Sequence, residues 1–147
     1  MPKLTKNIEI ASSPEKLSAF LFDRNKMNEI TQGYLEVEPT SKGPVGVGST
    51  MHYVGKSGRS TAEWDMEITE FEKNRKVAAR TIGASKFKLS SSHTLEPTAK
   101  GTKWTYTMDY ELPYSLLGKI VDKLKIGKDM EKKMGAMMEK VKKALEA

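Results

Sequence analysis

Hydrophobic and polar positions alternate with period two through the middle of the chain and recur with a helical period towards its end. The first alternating run, residues 7–11, is predicted as a strand. Ser12, Ser13, Pro14 and Glu15 follow it. A serine suits the N-cap, proline the first helical position and glutamate the first turn, so a helix is expected here, with Leu17, Phe20 and Leu21 on one face. A second short helix over 24–30 ends at Gln32-Gly33. Period-two segments then fall at 34–39, 49–54, 60–72, 77–82, 86–95 and 102–112, with turns at 42–48, 55–58, 74–75, 83 and 96–101. Strands joined by such short turns predict an antiparallel meander. Pro113 closes the last strand. Beyond it Leu116, Leu117, Ile120, Val121 and Leu124, then Met130, Met134, Met137, Met138, Val141 and Leu145, form one apolar stripe of a long helix. Gly127 is expected to kink or break that helix.

A long amphipathic helix needs an apolar surface to cover, and an antiparallel sheet with one apolar face supplies it. The expected fold class is therefore α+β. A curved antiparallel sheet of six to seven strands wraps around a long C-terminal helix, with two short helices after the first strand, and residues 1–147 form one domain.

Within the sheet, alternation assigns faces. Trp64, Met66 and Ile68 point inward because Glu63, Asp65 and Glu67 point out. Trp104, Tyr106, Met108 and Tyr110 share the inner face, as do Phe87, Leu89, Ser91, His93 and Leu95. Met51 and Tyr53 are the inward pair of their strand, which leaves His52 at the surface, and Leu35 and Val37 oppose Glu36 and Glu38. The inner face is thus rich in methionine, which adapts to varied apolar shapes, and in aromatics with a polar tip that orients a ligand. From the residues alone, Met130, Met134, Met137 and Met138 serve equally well as plain core or as the lining of a pocket.

Composition narrows the chemistry. The absence of cysteine removes disulfides, thiolate nucleophiles and thiolate metal sites together. Two histidines 41 positions apart without an HExxH pattern argue against zinc, so neither a metal nor any other cofactor is expected. The loop 43–49 superficially resembles a phosphate loop, but Gly48 is followed by Ser49-Thr50 and a strand instead of a lysine and a helix. No nucleophile motif of a hydrolase is present. The carboxylates Glu63, Asp65, Glu67 and Asp109 and the cation Arg80 read as a solvated outer sheet face. His93 is the one weak catalytic candidate, since a buried imidazole can act as a general base. The net charge of +6 arises from 25 basic against 19 interspersed acidic residues, mostly lysine, and nucleic acid is not expected as a partner. With no apolar run near the ~18 residues of a membrane span and no apolar signal core at the N-terminus, a cytoplasmic location without stable membrane insertion is expected.

Several signposts carry a resemblance. They are the strand-to-helix break Ile8-Glu9-Ile10-Ala11-Ser12-Ser13-Pro14-Glu15-Lys16, then Gly46-Val47-Gly48-Ser49, then Thr94-Leu95-Glu96-Pro97 with Gly101-Thr102, and Asp109-Tyr110-Glu111-Leu112-Pro113. In this order the chain resembles the START-like helix-grip (SRPBCC) superfamily and, within it, the polyketide cyclase/dehydrase and lipid-transport family. The resemblance implies a cavity between sheet and helix that takes a lipid, a polyketide-like compound or another small hydrophobic ligand. It favours the pocket reading for Met51, Tyr53, Trp64, Met66, Phe87, Leu89, Ser91, His93, Trp104, Tyr106, Met108, Tyr110 and the four helix methionines. The leading expectation is a binding or transport module. One alternative is a cyclase or dehydratase using His93, Tyr106 or Tyr110 as acid-base or polarising groups. Another is a co-chaperone-like interaction module whose lysine-rich helix face, Lys132 and Lys133 included, meets an acidic protein partner.

Overall fold

The computed structural model describes residues 3–57, 60–83, 88–111 and 120–147. Strand β1 (Lys3–Ile10) is followed by helices α1 (Pro14–Leu21) and α2 (Arg24–Thr31). Then come β2 (Leu35–Pro39), β3 (Thr50–Ser57), β4 (Ser60–Glu72), β5 (Lys76–Ile82), β6 (Lys88–Pro97) and β7 (Thr102–Glu111), and last the helix α3 (Ile120–Glu146). The strands form one antiparallel seven-stranded sheet in the order β1-β7-β6-β5-β4-β3-β2. It is a meander in which the first strand returns to pair with the last and the sheet curls into a half-barrel. This is the α+β helix-grip arrangement expected from the pattern.

Local chemistry sets the element boundaries. Ser13 Oγ accepts from Lys16 N at 3.2 Å, with Pro14 opening α1, and Asp23 Oδ1 accepts from Lys26 N at 3.1 Å to cap α2. Gln32 at φ 52° and Gly33 at φ 79° turn the chain out of α2. The break between β1 and α1 is locked from β7: the buried Thr102 hydroxyl donates to Ser12 O at 2.7 Å. Beside it Gly101 lies so close that a Cβ would stand 2.4 Å from Ile10 O and 2.6 Å from Ser12 N, so only glycine fits.

Three expectations are corrected. The ladder of β3 continues through Gly55, Lys56 and Ser57, which pair with Ala62, Thr61 and Ser60, so the turn placed at 55–58 is mostly strand. Strict alternation along β4 fails after Ile68. Ile68 pairs with Ala79 but Glu70 with Ala78, so Thr69 is a bulge residue. The extra residue keeps Glu70 and Glu72 exposed and turns Phe71 into the interior. Finally, α3 runs through Gly127 without interruption. A Cβ there would lie 2.9 Å from the Tyr110 hydroxyl oxygen, so this glycine provides close approach of helix to sheet rather than a break.

α3 packs across β1, α1 and α2. Its C-terminal end is pinned by Lys142 Nζ donating to Glu9 O at 2.8 Å and by Glu146 Oε2 accepting from Ala11 N at 2.9 Å. One buried cluster joins Ile10, Leu17, Phe20, Leu95, Trp104, Met134, Met138 and Val141. A second joins Met66, Ile68, Ala79, Leu89 and Tyr110. Each fully buried side chain of this kind contributes roughly 1.5–3 kcal/mol of transfer free energy.

Candidate functional site

Between the short helices and the inner face of the sheet lies a cavity of about 490 Å³. Leu21, Met27 and Thr31 of α1 and α2 line one wall, Leu35, Val37, Met51 and Tyr53 of β2 and β3 another, and Ser91, His93, Leu95 and Tyr106 the floor. Ile68 and Phe71 from either side of the bulge also line it, and among the described residues of α3 Met137 does so. The lining reaches the surface at Phe22 and Val45, which are 43% and 45% exposed. Phe22 meets Phe71 edge-on at 6.2 Å there.

Polar chemistry in the cavity centres on β6 and β7. His93 and Tyr106 are register partners, and their rings stack with centroids 4.1 Å apart and planes 19° from parallel. Two residues away along β7, the fully buried Trp104 donates its indole N–H to His93 Nδ1 at 3.0 Å. Burial pushes the His93 imidazole down to about 4, so it is neutral at pH 7. With Nδ1 occupied as an acceptor, the proton of the neutral ring sits on Nε2. Burial also pushes the Tyr53 phenol up to about 12 and Tyr106 higher still, and the nearby Tyr53 and Tyr34 hydroxyls raise Tyr106 further. The floor of the cavity therefore carries no charge.

The residues selected from alternation divide into groups. Met51, Tyr53, Ser91, His93, Tyr106 and Met137 line the cavity. Trp64 stacks on Tyr53 at 5.6 Å and 17°, behind the wall, over Gly55, whose Cβ would stand 3.0 Å from the indole. Met66, Leu89 and Tyr110 are buried in the second cluster, with Met108 and Met130 packed against it. Trp104, Met134 and Met138 are buried in the first. Phe87, like Leu116 and Leu117 of the apolar stripe, lies outside the described residues. The lining residues that alternation did not single out as ligand contacts come chiefly from α1, α2 and β2. Leu21, Leu35 and Val37 carried the right periodicity, whereas Phe71 was hidden by the bulge.

His52 is on the opposite face of the sheet. Its Nδ1 is 2.9 Å from Asp65 Oδ1 and its Nε2 3.2 Å from Glu63 Oε1, and the hydrogen bond to Asp65, more than that to Glu63, raises its pKa. Among the described residues no cluster of three or more His, Asp or Glu could hold a metal ion. No helix among them is long and apolar enough to cross a membrane.

Protein TTHA0849 from Thermus thermophilus superposes with a TM-score of 0.80 at 17% identity, covering 98% of this chain and 97% of that one. DR_A0006 from Deinococcus radiodurans gives 0.72 at 15% identity over 99% and 98%. The di-domain ARO/CYC protein StfQ of the steffimycin biosynthetic pathway gives 0.77 at 10% identity, over 98% of this chain and 50% of that one. At these identities the likeness is one of fold. No curated protein matches the chain in sequence. The family described as polyketide cyclase / dehydrase and lipid transport matches residues 1–146, and the chain belongs to that family.

Proposed function

We propose that the protein binds and carries a small hydrophobic ligand in the cavity enclosed by the sheet, the two short helices and Met137. The observation that carries this reading is the cavity itself. It measures about 490 Å³, within the range of small-molecule sites, with apolar residues and a few uncharged polar groups on its inner surface, while Arg24, Glu36, Glu38, Glu72 and Arg75 of the lining are exposed. Membership of a family that includes lipid transport supports it.

Acid-base catalysis at this place is the weaker reading. The lone pair of His93 that would accept a proton already accepts from Trp104, and an imidazole held near 4 is a poor base at neutral pH. Tyr110 is buried in the second cluster, its hydroxyl against Gly127, away from the cavity wall.

Displacement of a fluorescent apolar probe, with native mass spectrometry of the purified protein, tests the proposal. A bound probe displaced by apolar compounds with one-to-one stoichiometry is the expected result. Absence of binding by every apolar compound tried would sink it. Substituting Met137→Trp should narrow the cavity and lower probe affinity by about tenfold or more while the protein stays folded.

A further inference from the structure

The cavity floor holds three hydrogen-bond donors that the protein itself does not use. Tyr53, His93 and Tyr106 line the same cavity. They arrive from β3, β6 and β7, with His93 and Tyr106 face to face. Tyr53 and Tyr106 stand close enough that charge on the Tyr53 hydroxyl opposes ionisation of Tyr106. Among the described residues neither tyrosine hydroxyl has a hydrogen-bond partner, and none accepts from His93 Nε2, whose ring is committed to Trp104 through Nδ1. All three face the cavity space, so an acceptor on a bound molecule can take the hydrogen bonds that the protein leaves open, whereas an apolar group placed there would leave them unmade.

The charges nearby decide what kind of acceptor. The cationic side chains of the lining are Arg24, Arg75 and Lys76. Arg24 and Arg75 are exposed, and Lys76 is held by Glu70 at 2.7 Å. Lys6 is the register partner of Tyr106 on β1, but it does not line the cavity, and its Nζ lies 3.7 Å from Glu131. A carboxylate on the cavity floor would lose its water without gaining a countercharge, which is costly. A ketone, ester or ether oxygen meets no such penalty.

We propose that the ligand presents an uncharged oxygen acceptor to the Tyr53 and Tyr106 hydroxyls and the His93 Nε2–H, and that the cavity refuses carboxylate-headed molecules of the same apolar body. This inference rests on the binding reading above and adds to it the polarity of the ligand's inner end.

The test uses three compounds sharing one ring system, 2-acetylnaphthalene, 2-ethylnaphthalene and 2-naphthoate, each displacing the fluorescent apolar probe at pH 7. The ketone should bind about tenfold more tightly than the hydrocarbon, and the carboxylate more weakly than the hydrocarbon, about a hundredfold or more below the ketone. Tyr106→Phe and Tyr53→Phe keep the ring and its stacking. Each should cost the ketone about fivefold and leave the hydrocarbon within about twofold. Equal binding of ketone and hydrocarbon, tightest binding of the carboxylate, or an undiminished ketone advantage in both phenylalanine variants would overturn the inference while leaving a working apolar cavity. If neither the probe nor any naphthalene binds, the binding reading falls and this inference with it. The ligand series on the unaltered protein decides the matter even if a variant folds poorly.

Discussion

Two ends of the sheet's inner face carry the same alternating pattern and come out differently. Where β1 meets β7, Ile10 and Trp104 are sealed beneath Met134, Met138 and Val141 of α3 and Leu17 and Phe20 of α1, and Leu95 of β6 is the boundary, packed in that cluster on one side and part of the cavity floor on the other. At the β2–β3 end, Leu35, Val37, Met51 and Tyr53 are no less apolar, yet they border a cavity. The difference lies in what is placed opposite. A long helix pinned to β1 through Lys142, and to Ala11 just beyond it through Glu146, can drive side chains into the sheet beneath it. The last turn of α1 and the eight-residue α2, set by the turns that cap them, span the other end without filling it. Alternation therefore decides which side chains turn inward, whereas the covering elements decide whether they meet one another or enclose a space.

The largest effect expected from breaking this arrangement is at the sealed end. Gly101→Val would thrust a side chain into the backbone at Ile10 and Ser12, where neither neighbour can move without opening the β1–α1 break. A loss of about 3 kcal/mol or more is expected in urea unfolding, and a loss under about 1 kcal/mol would show that this contact yields.

Adjacent methionines on α3 sharpen the comparison. Met138 is 2% exposed in the sealed core, while Met137 faces the cavity. Met138→Ala should cost about 2–4 kcal/mol, and Met137→Ala less than about 1 kcal/mol, since it widens a space that already exists. Similar losses from both, read from the same denaturant series, would erase the distinction between the two ends.

The histidines distinguish the two faces by the sign of their pH response. His93 takes up its proton at about 4 in the folded protein against 6.5 as a free side chain. Below pH 6.5 the unfolded chain therefore binds a proton that the folded chain refuses. Stability falls as pH drops from about 6.5 towards about 4, by on the order of 2–3 kcal/mol. His93→Gln should flatten that dependence when unfolding is measured at about pH 7 and about pH 4.5. A profile no flatter than that of the unaltered protein would mean that the ring is not desolvated.

His52, with its pKa raised by Asp65 and Glu63, behaves oppositely. Its contribution is present below pH 6.5 and is lost as pH rises through its raised folded value. Being on the solvated face, it should give the smallest effect of the series. His52→Gln lowers stability slightly near about pH 5.5 and not at about pH 8.5, and an equal change at both values would count against the ion pairs.

Much of this molecule follows from short-range chemistry that a sequence displays. Ser13-Pro14 and Asp23 start helices because their side chains and ring geometry favour it locally, and period two along residues 60–68 and 102–110 fixes the inner face because a strand alternates its side chains. The sealed cluster of Trp104, Met134 and Met138 and the cavity triad of Tyr53, His93 and Tyr106 were alike legible as inward residues, but not as members of different environments. That separation depends on where α1, α2 and α3 settle over the sheet, a matter of long-range packing. The bulge at Thr69 likewise needed β5 opposite it before Phe71 could turn inward, and Gly127 needed the Tyr110 hydroxyl nearby before its lack of a side chain mattered. By itself the sequence determined the order of elements, the inner face of the strands outside the bulge, and the uncharged, methionine- and tyrosine-rich interior. Only the tertiary structure decided which part of that interior is filled and which is hollow, because filling depends on the distance between surfaces that no local pattern encodes.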